Sequence, residues 1–455
     1  MLISKEDKDN YGIVYTPINL VNKILNLIPE EYYKNSKLKW LDIGSGDGVF
    51  IINVYNRLIN GLKEEIKDIR ERRIHIIKEM LYMVEIYPMH IKLLEDNLSI
   101  ESEIYKEDIN IIKEDYLLIE EDKKYDIIIG NPPYNINGNI KTPTNLKMNK
   151  KEDGKTIYVE FIKKSLKILK EKGLLNLIIP SLWLKPDKAG LYNILTNKRI
   201  IKLNCLTTDE SQKEFNYNAQ IPTNYFLIEN EEKESNKINI YDKLEEKYIK
   251  YELGLNKPIP IHSISIINKL KVYVEMYGNL KVYKTNLISK KIKVSNIKDD
   301  KYKYKNILTC LISKTEERPN LIINYSDMES KYSSVKKVVL ANKMYGLPYL
   351  DEKGEYGISG KDNYVIIESD YNIEELRRIQ LFLSTKLALL IFSTTNYRMR
   401  YLEKYAFELI PDITKIKEFP NMEIDREKEI YKFINLSEKE EEYIKNANKY
   451  NKFFI

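Results

Sequence analysis

The sequence predicts an α/β chain: a doubly wound sheet in its first half, followed by a C-terminal mixed α+β region. Three observations carry this. From Lys39 onward the first half alternates short apolar runs with helical patterns. The first of those runs leads into a glycine-rich turn, Asp42-Ile43-Gly44-Ser45-Gly46-Asp47-Gly48. The chain has 455 residues, too many for one compact α/β domain and suited to two.

The strands read in this way are Lys39 to Ile43, Leu81 to Glu85, Tyr125 to Gly130, Leu174 to Ile179, Ile200 to Cys205 and Thr223 to Ile228. Between the first two, Arg57 to Lys78 is long and charged with apolar residues at helical spacing, which predicts an extra or extended helix. The polar stretch Asn137 to Lys155 lies inside the first part and reads as a loop rather than a linker. Glu229 to Lys237 is a charged run without apolar residues directly after the last strand. It sets the expected division into residues 1–235, 236–410 and a C-terminal helical segment, 411–455. In that segment Ser437 and Glu440 have the spacing of a capping box, with a helix running to about Lys449.

Apolar residues make up 43% of the chain, enough for real cores, yet no stretch approaches the roughly 20 uninterrupted apolar residues of a membrane-spanning helix. The first ten residues are charged and lack a secretory apolar segment, and Cys205 and Cys310 give neither a disulfide framework nor metal-ligand spacing. An intracellular (cytoplasmic), metal-free protein is expected. The formal charge of +6 is uneven: residues 236–455 hold 39 Lys+Arg against 31 Asp+Glu, and Ile261 to Tyr345 holds 17 against 7. Such a stretch suits a surface facing a polyanion.

The glycine-rich turn lets backbone approach a ligand where a Cβ would collide, so a nucleoside-containing cofactor fits there. Glu85 closes the next strand, where a carboxylate can accept from both hydroxyls of a ribose. The strongest signal is Asp126 to Tyr134, a buried-strand pattern ending in Asn131-Pro132-Pro133-Tyr134. This tetrapeptide suits chemistry on an aryl amine, whose lone pair is delocalised into its ring until acceptors hold both N–H groups. The Asn131 side-chain oxygen and the Pro132 carbonyl would supply those acceptors, the prolines would fix the backbone direction, and Tyr134 would stack on the base. No general base is obligatory, in keeping with a chain of three histidines. His75, His90 and His262 read as structural or surface residues.

A glycine turn, a strand-end acid and NPPY after a strand, in this order, resemble the S-adenosylmethionine-dependent amino-methyltransferases of DNA. With the target-recognition region C-terminal, the resemblance is to the gamma class, which methylates adenine N6. It implies a Rossmann-like methyltransferase sheet over residues 1–235, a target-recognition domain over 236–410, and S-adenosylmethionine as cofactor. Tyr15-Thr16-Pro17 is similar to the family's N-terminal motif at the cofactor's methionine end. By the same resemblance Asp42, Gly44, Gly46, Glu85 and Asn131 line the cofactor site, Asp115 binds the cofactor's adenine amine and Tyr116 lines its ring, with Asp108 the rival of Asp115. Ile178 to Leu184 resembles the motif after the fifth strand, and Lys213 to Ile228 the segment that brings a second aromatic to the target base. Phe215 is the first candidate there and Tyr217 the second.

The substrate implied is double-stranded DNA, with adenine flipped between Tyr134 and Phe215 at an unstacking cost of roughly a few kcal/mol. Lys336, Lys337, Lys343, Arg398 and Arg400 are the candidate DNA contacts, and the Gly-punctuated stretch Asn342 to Gly360 the candidate reading loop. NPPY also occurs in methyltransferases of protein glutamine and of ribosomal RNA bases; the 218 residues beyond Lys237 favour DNA over both. A catalytically silent DNA-binding subunit is the alternative from another class. The motifs begin near residue 15, which leaves no room upstream for a fused nuclease, so a separately encoded restriction endonuclease is the partner that fits.

Overall fold

The computed structural model describes residues 14–120, 122–134, 156–311, 319–342, 347–398, 402–422 and 425–447. The stretch Asn137 to Lys155 lies outside the described residues. The chain divides into two compact units, Met1–Tyr241 with Tyr248–Asn256 and Tyr397–Met399, and Asp242–Lys247 with Lys257–Asn396 and Arg400–Ile455.

The first unit contains, in chain order, α1 (Ile18–Leu25), β1 (Trp40–Asp42), α2 (Val49–Gly61), α3 (Ile69–His75), β2 (Leu81–Val84), α4 (Pro88–Ser102), β3 (Ile111–Ile112) and β4 (Tyr125–Gly130). There follow α5 (Ile157–Ile168), β5 (Leu169–Pro180), α6 (Leu191–Thr196), β6 (Lys198–Leu206), α7 (Thr208–Glu214), β7 (Thr223–Glu232), β8 (Lys237–Asp242) and β9 (Lys247–Glu252). The strands form one nine-stranded sheet in the order β3-β2-β1-β4-β5-β7-β6-β8-β9. β1 pairs in parallel on both sides, Trp40 opposite Leu81 and Ile127, and Asp42 opposite Met83 and Ile129. Strands covered on both faces read as continuous apolar runs, which is why Ile127, Ile128 and Ile129 are fully buried. The shared register brings the carboxyl ends of β1, β2 and β4 side by side, at the edge where open α/β sheets bind ligands.

Helices cover this sheet through apolar faces at helical spacing. α1 buries Leu20, Val21, Ile24 and Leu25, and α2 buries Phe50, Ile51, Val54, Tyr55 and Leu58, in one cluster with Ile127 and Ile129. Each fully buried aliphatic side chain contributes roughly 1.5 to 3 kcal/mol. The charged stretch Arg57 to Lys78 forms the end of α2, then α3 and most of a π-type turn, Ile76–Met80.

All six strands read from the sequence are present, and the α/β class with its sheet holds. Three features were not legible. β3 has only two residues. β7 runs antiparallel to both β5 and β6. The hairpin β8 and β9 extends the same sheet, with Leu203 of β6 opposite Ile240. The charged run Glu229 to Lys237 therefore forms the end of β7, the turn after it and the first residue of β8; Glu229 and Glu231 are held by Arg199 at 2.6 and 3.1 Å.

The second unit contains α8 (Ile264–Tyr277), β10 (Tyr283–Lys284), β11 (Val294–Ser295), β12 (Tyr304–Leu311), β13 (Asn320–Ser326), β14 (Lys337–Leu340), β15 (Tyr349–Asp351), β16 (Gly357–Ile358) and β17 (Tyr364–Ile367). After them come α9 (Ile373–Leu383), α10 (Lys386–Ser393), α11 (Arg426–Phe433) and α12 (Glu438–Ala447). Two four-stranded sheets, β10-β17-β14-β15 and β11-β13-β12-β16, share a core of Ile307, Cys310, Val339, Ala341, Ile358 and Val365. The capping box at the last helix is formed: the Ser437 amide donates to Glu440 Oε2 at 2.8 Å and the Glu440 amide to Ser437 Oγ at 3.3 Å. Among the described residues no helix is long and apolar enough to cross a membrane.

Two expectations fail here. Lys337, expected on a DNA-facing surface, has no exposed side-chain area: its ammonium meets Asp351 Oδ2 at 2.6 Å and donates to the carbonyls of Tyr332, Val335 and Tyr356. Burial pushes its pKa down against the opposing pull of Asp351. The described part of Asn342 to Gly360 is not a free reading loop but includes β15 and β16. Its glycines serve close packing, since a Cβ on Gly360 would stand 1.7 Å from the Leu308 carbonyl oxygen and one on Gly357 would stand 2.0 Å from Ser330 Oγ.

Asp351 also accepts the amides of Glu355 and Tyr356. Removing it strands a buried ammonium, so Asp351→Ala should destabilise the protein by about 3 to 5 kcal/mol in urea unfolding. The double change Lys337→Met, Asp351→Leu should recover much of that loss. Equal losses for the single and double variants would show that the pair is not the cause.

Candidate active site

Three strand ends build the site. β1 passes into the glycine turn, where Gly46 and Gly48 have φ of 55° and 89°, values that a residue with a Cβ rarely adopts. β2 passes into Glu85, whose amide donates to the Ile112 carbonyl at 3.1 Å. β4 ends at Gly130 and delivers Asn131. Gly130 has φ of 133°, and a Cβ there would stand 2.8 Å from Asp42 Oδ1, so only glycine lets the turn and the NPPY segment lie this close.

Glu85 is 8% exposed and holds the turn in place: Oε2 accepts the Gly46 amide at 2.7 Å, and Oε1 accepts the amides of Ile86 and Tyr87 at 3.0 and 2.8 Å. Burial alone would raise this carboxyl. The His90 ring and the amides of Tyr87 and Gly46 outweigh burial and hold it below the usual carboxylate range. Three of its roughly four acceptor positions are filled by backbone amides, and the His90 ring stands beside Oε2.

His90, read from the sequence as structural or surface, is a connector that the sequence did not reveal. Its ring is 2% exposed; Nδ1 lies 3.7 Å from Glu85 Oε2 and Nε2 shares a hydrogen bond of 3.0 Å with the Tyr15 hydroxyl. Tyr15 is thereby tied to the strand-end acid. Burial, followed by Asp47, raises the Tyr15 phenol, which stays protonated.

Asn131 is held through its amide nitrogen, which donates to Thr16 Oγ1 at 3.0 Å and to the Val14 carbonyl at 3.5 Å. A carbonyl can only accept, so this pair fixes which way the amide faces. Oδ1 is buried and has no hydrogen-bond partner. Asp42 is fully buried, and both its oxygens are likewise without one. Burial pushes its carboxyl from an ordinary 3.8 up to about 8; the Gly44 amide pulls against this, Glu85 adds to the rise, the Ser45 hydroxyl opposes it and Asp47 adds again. A buried carboxyl pushed up by desolvation and the unpartnered Asn131 Oδ1 thus flank the glycine turn.

Asp115 follows β3 and so lies beyond the carboxyl end of that strand, the same edge as Glu85; its Oδ1 accepts the Leu117 amide at 2.9 Å. Asp108 precedes β3 and is paired with Lys78 at 2.8 Å. Of the two rivals, Asp115 is on the side of the site.

The aromatic expectations need correction. Tyr116 is 3% exposed and turned inward, its hydroxyl bonded to Ser165 Oγ at 2.9 Å and its ring against Phe161 at 4.9 Å, so it belongs to the core. Phe215 is fully buried in the main apolar cluster. It caps the C-terminal end of α7, and the chain then turns through Asn216 and Tyr217 with φ of 50° and 64°. That strained turn presents Tyr217, the second candidate, at 74% exposure. Tyr134 is 7% exposed, with its hydroxyl 3.5 Å from the Ile178 carbonyl, and burial raises its phenol. Neither Tyr134 nor Phe215 presents an exposed ring face to a flipped base. Pro132 is buried beside Asn131. Of the DNA candidates, Lys336 is exposed and Arg398 half-buried, while Lys343 and Arg400 lie outside the described residues.

Residues 66–213 match the profile of the Eco57I restriction-modification methylase. The match covers about a third of the chain. The chain shares 31% identity over 198 residues with the Type II methyltransferase M.BstVI of Geobacillus stearothermophilus, covering 39% of this chain and 35% of that protein. With the Type II restriction enzyme and methyltransferase RM.Eco57I of Escherichia coli it shares 25% over 243 residues, covering 40% of this chain and 24% of the other. The chain thus spans about a third or less of the length of these relatives. Its fold resembles that of the Type IIL restriction-modification enzyme MmeI in complex with DNA, with a TM-score of 0.50 at 12% identity, covering 90% of this chain and 69% of that one.

Asp42 gives a pH test. Between about pH 4 and 8 its folded carboxyl keeps a proton that the unfolded chain has already released, so its contribution to stability is full below pH 4 and is lost as pH rises through 8. Asp42→Asn lacks this loss. Its stability relative to wild type should therefore increase from about pH 5 to pH 8.5 in urea unfolding; parallel profiles would place the titration elsewhere.

Proposed function

We propose that this chain is a site-specific DNA methyltransferase of the restriction-modification type, transferring the methyl group of S-adenosylmethionine to the exocyclic N6 of an adenine flipped out of duplex DNA. The observation that carries the reading is the buried, unpartnered Asn131 Oδ1, aimed by Thr16 and Val14 at the same strand edge as the glycine turn and Glu85.

S-adenosylmethionine, when bound, supplies a methyl group on a sulfonium. The residues that would hold it are Gly44 and Gly46 in the turn, Asp42 and Tyr15 toward its amino-acid end, Glu85 at the ribose and Asp115 at the adenine. Asn131 Oδ1 accepts one N–H of the target amine and the Pro132 carbonyl the other. The nitrogen lone pair is thereby drawn out of conjugation with the ring, and the amine becomes a nucleophile without a general base. The amine gains acidity only as its new bond forms, so its proton can leave to water. Catalysis then consists mainly of positioning. Tyr217, exposed on a strained turn, is the aromatic best placed to meet a base, and Tyr134 buttresses the NPPY segment. The substrate is double-stranded DNA, the setting is intracellular, and a separately encoded restriction endonuclease is the partner expected.

Incubation with methyl-labelled S-adenosylmethionine and separate duplex DNA and RNA, followed by digestion to nucleosides, should give N6-methyladenine from DNA alone. Asn131→Ala should lower kcat by about 100- to 1000-fold and leave cofactor affinity within about threefold. Asp115→Ala should mainly weaken cofactor binding, by roughly tenfold. Label confined to RNA or to cytosine, or loss of cofactor binding in Asn131→Ala, would sink this reading.

A further inference from the structure

Two sets of lysines in the second unit contrast. Lys281, Lys284, Lys361 and Lys415 are each held by a carboxylate, Asp370, Asp362, Asp362 and Asp412 respectively. Lys290, Lys291, Lys293, Lys298, Lys301 and Lys303 are all exposed, and among the described residues none of the six has an ion-pair partner. They crowd into a segment with only two acidic residues, Asp299 and Asp300.

Two of the three local carboxylates accept backbone amides, and the third, Asp300, is exposed. Asp299 Oδ1 accepts the amides of Lys301 and Tyr302 at 2.9 and 2.6 Å, and Asp327 Oδ1 accepts the Lys293 amide at 2.8 Å. These bonds, with Ser295 Oγ accepting the Ile297 amide at 3.0 Å, give the segment a defined path. The sheet then sets the spacing. Val294 and Tyr304 both pair with Ser326 from opposite sides, so the lysines just before them, Lys293 and Lys303, stand two strands apart, roughly 10 Å. Lys301 and Lys303 lie over the rings of Tyr302 and Tyr304 at 5.3 Å each, a contact worth about 0.5 to 1 kcal/mol that leaves their charge uncompensated.

We propose that the face formed by Lys290 to Lys303, around the starts of β11 and β12 on either side of β13, grips the phosphate backbone of duplex DNA. This rests on DNA being the substrate, and it moves the main basic contact away from Lys337, which is buried. Six exposed ammonium groups without ion-pair partners among the described residues, in the turns that flank β11 and β12 and with Asp299 and Asp300 the two acids among them, are complementary to a regularly charged polyanion. Because such contacts release counterions, each lysine on a phosphate adds about 0.9 to the slope of log affinity against log salt.

The test is a titration of mixed-sequence duplex DNA with the whole protein between about 50 and 200 mM salt, read by fluorescence anisotropy. Three proteins are compared: wild type, the variant Lys291→Gln, Lys293→Gln, Lys301→Gln, Lys303→Gln, and a control of equal charge, Lys281→Gln, Lys284→Gln, Lys361→Gln, Lys415→Gln. The first variant should lower the slope by about 2 to 4 and the control by less than about 1. Lys291→Gln with Lys303→Gln alone should remove about half of that effect, which guards against a folding defect in the larger variant. An unchanged slope in the first variant, or equal losses in both, overturns the proposal while a DNA-binding wild type leaves the proposed activity standing. A wild type that binds no duplex DNA, or only anionic vesicles, overturns both.

Discussion

The register of three short parallel strands governs this site. β1 has three residues, and its pairing with β2 and β4 decides that the glycine turn, Glu85 and Asn131 emerge at one edge. A slip of one residue in β1 would turn Asp42 to the other face of the sheet. Gly130 transmits the constraint: its bare Cα lies against the Asp42 carboxylate, so the end of one strand and the start of the turn after another are locked together. The Glu85 bond to the Gly46 amide adds the third strand, and His90 carries the connection on to Tyr15.

Much of this was legible because it is local. Asp42 to Gly48, Glu85 and Asn131 to Tyr134 each combine a strand-forming run with residues whose chemistry is explicit, and their order along the chain implies the edge on which they meet. Burial of single aromatics was not legible. Phe215 and Tyr217 lie two residues apart, and which of them is exposed depends on two left-handed backbone angles after α7. Tyr116 reads as a ring beside a cofactor until Ser165, 49 residues later, claims its hydroxyl. The choice between Asp108 and Asp115 needed β3, a strand too short to be seen by alternation. The reversal of β7 leaves no local trace, because a buried strand has the same composition in either direction.

Charge was the least legible quantity. Lys336, Lys337 and Lys343 look equivalent in a basic stretch, yet Lys337 is an internal cation that joins the turn at Tyr332 to the one at Tyr356. In the same unit the lysines from Lys290 to Lys303 stand uncompensated. A count of basic residues cannot separate a lysine that organises a core from one that faces solvent; only the identity of the nearest oxygen does so.

The unanswered acceptors at Asp42 and Asn131 have a consequence over evolutionary time. Burying a carboxylate and an amide oxygen without donors lowers the stability of the free chain, and many single replacements at those positions would relieve it. Once selection for chemistry lapses in a lineage, random drift there runs downhill in free energy. Inactive descendants that keep the fold and lose the function should be better folded than their active ancestors.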